Sequence, residues 1–170
     1  MKNKATAIVL FLLIITMTIG SSCVNDDTEM RTLEMEMEEL DSYLSDLETR
    51  GFDIDTSDLG IYYILEAEGE GPLAQAGDTL SLEYTGYLLD GRVFDASAYH
   101  YADSTWEFVF KEILLIPGFE DGISLMNKGA EMNMIIPSEF AYGPNGYGPI
   151  GPYTTLVFVT KLHDIAPASD

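Results

Sequence analysis

The chain is expected to fold as an α+β domain: a curved antiparallel sheet of five or six strands wrapped around one short helix. Three observations lead there. Short apolar or alternating runs recur between turn signals over residues 60–166, which is the pattern of buried and half-buried strands. Asp90-Gly91 stands between two such runs, a strong hairpin signal. One segment in that zone, opened by Pro117, has helical spacing.

The elements follow in order. Lys2 and Lys4 precede a mostly apolar run over residues 5–19, then Gly20-Ser21-Ser22-Cys23. This is a signal peptide over residues 1–22, too short in its apolar part for a membrane span. The small residues before the only cysteine resemble the lipobox of bacterial lipoproteins. That resemblance implies cleavage before Cys23, lipid on Cys23, and a place in the cell envelope, at the outer membrane of a Gram-negative bacterium. A lone cysteine there has no disulfide partner.

Residues 23–59 form an acidic linker. Residues 24–59 hold 13 acidic and 2 basic side chains. Within them Leu33, Met37, Leu40, Leu44 and Leu47 recur at helical spacing, and Gly51 ends the run. Such a stripe docks on its own domain or pairs with a second copy through residues 31–50; alone it is too short and too charged to persist.

The folded domain spans residues 60–166, with a tail at 167–170. Residues 61–67 read as the opening strand, broken by Gly69-Glu70-Gly71-Pro72. Residues 79–84 alternate, and a hairpin at Asp90-Gly91 joins 84–89 to 92–94. Residues 106–110 alternate again. Residues 117–127 are the helix, with Pro117 in the first turn and Ile123 and Met126 on its apolar face. Residues 131–136 form a strand stopped by Pro137, residues 144–152 a loop rich in glycine and proline, and residues 154–165 a long apolar strand placed centrally.

The net charge of −21 excludes nucleic acid and anionic headgroups as binding surfaces. Two histidines, His100 and His163, lie far apart with no cysteine partner, so no metal site is expected. No nucleophile elbow and no phosphate-binding glycine loop occur, so no cofactor is expected. What remains is a set of aromatics: Tyr84, Phe94, Trp106, Phe119, Tyr142, Tyr147 and Phe158. On composition alone they are the core of a small β-rich domain.

Four blocks change that weighing. Tyr84 to Asp95 reads YTGYLLDGRVFD; then come LIPGFEDG over residues 115–122, FAYG over 140–143 and TLVF over 155–158. In order and spacing they resemble the FKBP-type peptidyl-prolyl isomerases over residues 61–165. The resemblance implies a pocket with Phe119 at its floor, where that family commonly has Trp. Tyr84, Phe94 and Phe158 line its walls, Trp106 deepens one wall, and Asp95 is the carboxylate beside it. Leu115 and Ile116 flank the entrance, with the Ile116 N–H offered to a substrate carbonyl. Tyr142 offers its hydroxyl, and Tyr147 and Ile150 form the rim. The family's basic partner for Asp95 is not evident; His100 is the one substitute at hand, although its loop context reads first as a satisfied or exposed surface histidine.

The implied activity is rotation of X-Pro bonds in exported or unfolded polypeptides, without metal or nucleotide. The alternative is a non-catalytic chaperone or peptide-binding module on the same fold.

Overall fold

The computed structural model describes residues 31–168. The expected signal peptide, Cys23 and the last two residues of the tail lie outside the described residues. The first described element is α1 (Leu33–Thr49). The Thr32 hydroxyl oxygen accepts from the Met35 N–H at 3.3 Å, which caps its first turn. At the other end Gly51 adopts φ 88° and Phe52 N–H donates to the Leu47 carbonyl at 3.1 Å, so a left-handed residue closes the helix.

Nine strands follow among the described residues: β1 (Asp55–Thr56), β2 (Tyr62–Ala67), β3 (Glu70–Leu73), β4 (Thr79–Leu88), β5 (Val93–Ala96), β6 (Trp106–Val109), β7 (Asn127–Lys128), β8 (Glu131–Ile136) and β9 (Leu156–Ala166). The second helix, α2 (Pro117–Ser124), lies between β6 and β7. The main sheet is antiparallel, ordered β1-β2-β8-β9-β4-β5, with β6 also pairing β4. β9 is central, as its apolar run implies, between β8 and β4.

The α+β class holds, and three details differ from expectation. The sheet has seven strands rather than five or six: Asp55 and Thr56, from the acidic segment, pair with Tyr63 and Tyr62 at its edge. The Gly-Pro breaker at 69–72 is itself strand β3, paired with β7 in a separate two-stranded ribbon; Pro72 is tolerated because the ribbon is irregular there. That pairing also ends α2 at Ser124 rather than residue 127. Ala74 N–H donates to the Met126 carbonyl at 3.0 Å, and Asn127 and Lys128 are committed to β3.

The period of two along each strand places two cores on opposite faces of one sheet. On the inner face Met134, Ile136, Leu156 and Phe158 pack with Leu80, Leu82 and Tyr84 against Phe119 and Ile123 of α2. On the outer face Ile135 and Val157 pack with Ile64 against Leu40 and Leu47 of α1. Of the two fates the leucine stripe allows, α1 takes docking on its own domain. Burying each leucine stabilises the dock by about 1.5–3 kcal/mol, which is how so short and acidic a helix persists. No described helix is long and apolar enough to cross a membrane.

Candidate active site

On the inner face of the sheet, residues of β4, β5, β6 and β9 meet the start of α2. Tyr84 sits on β4, Phe94 and Asp95 on β5, Trp106 at the head of β6 and Phe158 on β9; Phe119 lies in the first turn of α2. Gly86 stands opposite Asp95 on one side and Phe158 on the other. A Cβ there would fall 2.5 Å from Cζ of Phe94, so only glycine lets that ring lie flat over the strand.

The rings form one connected cluster. Phe119 meets Phe158 at 4.5 Å between centroids, and Tyr84 meets Phe119 and Trp106 at 5.9 Å each. Phe94 stands edge-on to Phe158 at 5.5 Å. These offset and edge-to-face geometries are the favoured ones for aromatic pairs. Phe119 and Phe158 are buried at the base, while Phe94 and Trp106 are half-buried toward solvent.

Two polar features face this cluster. The Tyr84 hydroxyl donates to Asp95 Oδ2 at 2.8 Å, and Ala96 N–H donates to Oδ1 at 2.9 Å. Burial, then the bond to Asp95, pushes the Tyr84 phenol far above its ordinary value. His100 Nε2 lies 2.7 Å from Asp95 Oδ1. The substitute partner of Asp95 is thus His100. It is exposed, yet the 3₁₀ turn Ser97–Tyr99 returns it to the carboxylate. Ser97, overlooked in the sequence, fixes that return: its buried hydroxyl accepts from Tyr84 N–H at 3.1 Å and donates to the Tyr84 carbonyl at 3.2 Å.

Two segments pack beside the cluster. Ile116 caps α2 with extended backbone, and its carbonyl accepts from Phe119 and Glu120 N–H at 3.1 Å each. Its own N–H makes no hydrogen bond among the described residues. Leu115 and Ile116 are half-buried against the core. Across from them Tyr142 lies between the 3₁₀ turns Ser138–Phe140 and Gly143–Asn145. Its ring stacks on Tyr147 at 5.2 Å. Burial, then Tyr147 and the charge of Asp95, raise its phenol above the ordinary range, so both tyrosines hold their protons at neutral pH.

Of the eleven protein residues expected at the pocket, Tyr84, Phe94, Asp95, Trp106, Phe119 and Phe158 converge, with Leu115, Ile116 and Tyr142 beside them. Tyr147 and Ile150 divide. Tyr147 is 69% exposed, whereas Ile150 is 5% exposed and packs into the core. The two exchange backbone bonds of 2.9 and 3.0 Å that pinch the loop. A cleft of about 1010 Å³ lies elsewhere, between α1 and the β4–β5 hairpin. Its two arginines are already paired, Arg31 with Glu39 and Arg92 with Asp90. The aromatic cluster is the better candidate because it gathers apolar area with convergent, unspent hydrogen-bonding groups.

The family described as "FKBP-type peptidyl-prolyl cis-trans isomerase" matches residues 71–163. A probable FKBP-type peptidyl-prolyl cis-trans isomerase of Haemophilus influenzae is 34% identical over 122 residues, 71% of this chain and 49% of the relative. FkpA of Escherichia coli K12, of the same type, is 36% identical over 115 residues, 68% of this chain and 41% of the relative. The outer membrane protein MIP of Legionella longbeachae is 37% identical over 108 residues, 63% of this chain and 44% of the relative. The chain therefore spans about half the length, or less, of these curated relatives. Among solved structures, FkpA from Escherichia coli superposes with a TM-score of 0.67 at 31% identity, covering 79% of this chain and 60% of that one. AtFKBP13 gives 0.60 at 28% identity, covering 67% and 99%.

Proposed function

Because the chain belongs to the family of FKBP-type peptidyl-prolyl cis-trans isomerases, we propose that it catalyses rotation about X-Pro bonds of exported polypeptides at the Tyr84–Phe94–Trp106–Phe119–Phe158 cluster. The observation that carries this reading is the pairing of an aromatic base with an uncommitted Ile116 N–H and the Tyr142 hydroxyl at its mouth.

The chemistry suits those groups. Resonance holds the amide planar with a barrier of about 18–20 kcal/mol, and only X-Pro bonds populate both isomers appreciably. The planar amide carries charge on oxygen that water favours; the twisted amide is less polar. Aromatic walls that strip water therefore penalise the planar state more than the twisted one. The Ile116 N–H and Tyr142 hydroxyl would hold carbonyls on either side of the turning bond. The Tyr84–Asp95–His100 chain keeps the Tyr84 ring against Phe119 and Trp106. No step requires a proton to leave a side chain.

The decisive assay is exchange of cis and trans X-Pro peptides by NMR with the full chain. Acceleration that Phe119→Ala abolishes supports the reading. A second reading, a holding module for unfolded segments, is favoured by exposed apolar side chains: Leu114 is 101% exposed, Tyr99 68% and Tyr147 69%. Binding of unfolded protein without exchange would select it.

The envelope location and lipid on Cys23 are part of the same proposal, supported by the sequence before Cys23 and by the likeness to an outer membrane protein. Replacing Cys23 with Ser would release the protein from the membrane fraction if this is right. Pairing of two copies through residues 31–50 would fall to Leu33 and Met37, 51% and 61% exposed, since Leu40 and Leu47 are spent on the sheet. Sedimentation would read it.

A further inference from the structure

A buried carboxylate on α1 has no part in the mechanism above. Glu36 is 2% exposed. Its Oε1 accepts from the Ser138 N–H and the Thr155 hydroxyl, each at 2.7 Å, and its Oε2 accepts from the Ser138 hydroxyl at 2.5 Å. No cation pairs with it among the described residues. Three donors, two of them neutral hydroxyls, keep the buried group satisfied.

What those donors belong to gives the group its meaning. Ser138 opens the 3₁₀ turn Ser138–Phe140, which delivers Tyr142 to the mouth of the cluster. Thr155 immediately precedes β9, which carries Phe158. Residues 139–154, between the two donors, hold Tyr142, Tyr147 and Ile150. One carboxylate therefore ties both ends of the rim segment. A second tie lies beside it. The Arg31 guanidinium donates to the Tyr153 carbonyl at 3.3 and 3.1 Å, while Glu39 braces the same guanidinium at 2.6 Å. Tyr153 in turn, at φ 47°, donates from its N–H to the Gly143 carbonyl at 2.9 Å, next to Tyr142.

If docking alone were at issue, an apolar side chain would serve α1 as well at this position, since a buried charge is rarely the most stable choice. A carboxylate adds geometry: it fixes the separation of two backbone segments that the intervening glycines and prolines would leave loose.

We propose that Glu36 is a positioning residue for the substrate rim: α1 reaches through the edge of the fold and sets the base of residues 139–154, so that Tyr142 and Tyr147 are held ready for a peptide. This rests on the isomerase reading for what the rim binds. Loosening the base lowers the fraction of molecules with a competent rim. Apparent affinity falls by that fraction, while turnover of bound peptide is unchanged.

The test uses the full chain with a short Leu-Pro peptide. Glu36→Leu keeps volume and deletes both acceptor oxygens, and with them all three hydrogen bonds. It is expected to raise KM about 3- to 10-fold with kcat within about twofold, and to speed hydrogen exchange of amides in residues 139–154. Glu36→Gln still accepts through its amide oxygen and donates to the Ser138 hydroxyl, so it should restore KM to within about twofold. Thr155→Val, which removes one of the three bonds without a substitution in α1, should shift KM the same way by less, and decides the matter if Glu36→Leu fails to fold. Leu47→Ala, on the same helix but facing the sheet, should lower stability and leave KM alone. Unchanged exchange and KM in Glu36→Leu and Thr155→Val would overturn the proposal, as would an equal KM shift in Leu47→Ala. Failure of the unsubstituted chain to isomerise any peptide would instead remove the isomerase reading; exchange in residues 139–154 then decides on Glu36 by itself.

Discussion

Tyr142→Phe isolates the hydroxyl at the mouth of the site. The ring stays, so its stack on Tyr147 at 5.2 Å is kept. The hydroxyl finds no protein acceptor among the described residues, so the folded state gives up no internal bond. Stability should change by no more than about 0.5 kcal/mol, a shift in Tm of a few degrees at most. A peptide that accepts from this hydroxyl loses one hydrogen bond, worth about 0.5–1.5 kcal/mol. Since about 1.4 kcal/mol is tenfold, its Kd should rise roughly 2- to 13-fold. The chain holds one tryptophan, Trp106, packed against Tyr84 at 5.9 Å, so quenching of its fluorescence by added Leu-Pro peptide reports binding directly. An unchanged Kd at unchanged Tm would refute the contact. A large fall in Tm would show that the hydroxyl serves the fold instead.

Three further outcomes follow from the same geometry. Phe119→Ala removes a ring that is 4% exposed and touches both Tyr84 and Phe158; it should cost about 3–5 kcal/mol in chemical denaturation and abolish peptide-induced quenching. Gly86→Ala puts a methyl 2.5 Å from Phe94 Cζ; displacing that wall should cost about 1–3 kcal/mol and weaken peptide binding, and a variant with normal affinity would show that Phe94 is not a wall. The Tyr84 phenol is raised above its ordinary 10.0 in the folded state. The unfolded chain therefore releases that proton first, so stability is full below pH 10.0 and falls as pH climbs beyond it. Tyr84→Phe should flatten that alkaline decline in thermal melts, and between about pH 7.5 and 9.5 exchange activity should show no tyrosine titration.

The strand pattern was legible because alternation and turn residues are local signals. Residues 131–136 and the Asp90-Gly91 turn stand where the sequence put them, and β9 is central as its apolar run implied. β3 and the early end of α2 escaped notice for one reason: residues 70–73 and 127–128 acquire strand character only from each other, across more than fifty positions. The aromatic site was readable through its four motif blocks. His100 was legible only as a substitute partner of Asp95, because the contact depends on the 3₁₀ turn Ser97–Tyr99, which no periodicity announces. Glu36 was hidden more thoroughly. It stands among Glu34, Glu38 and Glu39 in a helix whose acidity reads as a solvated face, and only the tertiary dock shows which of those carboxylates turns inward.

Neighbouring residues on β8 and β9 point to opposite faces: Ile135 and Val157 bed the N-terminal helix, while Met134 and Phe158 face the rings. The two surfaces share a single ply of backbone, so the helix on the back and the rings on the front depend on the same strands. The leucine cover on the back therefore sets how far heat or denaturant must go before the aromatic wall is lost, while what the wall grips is decided on the front.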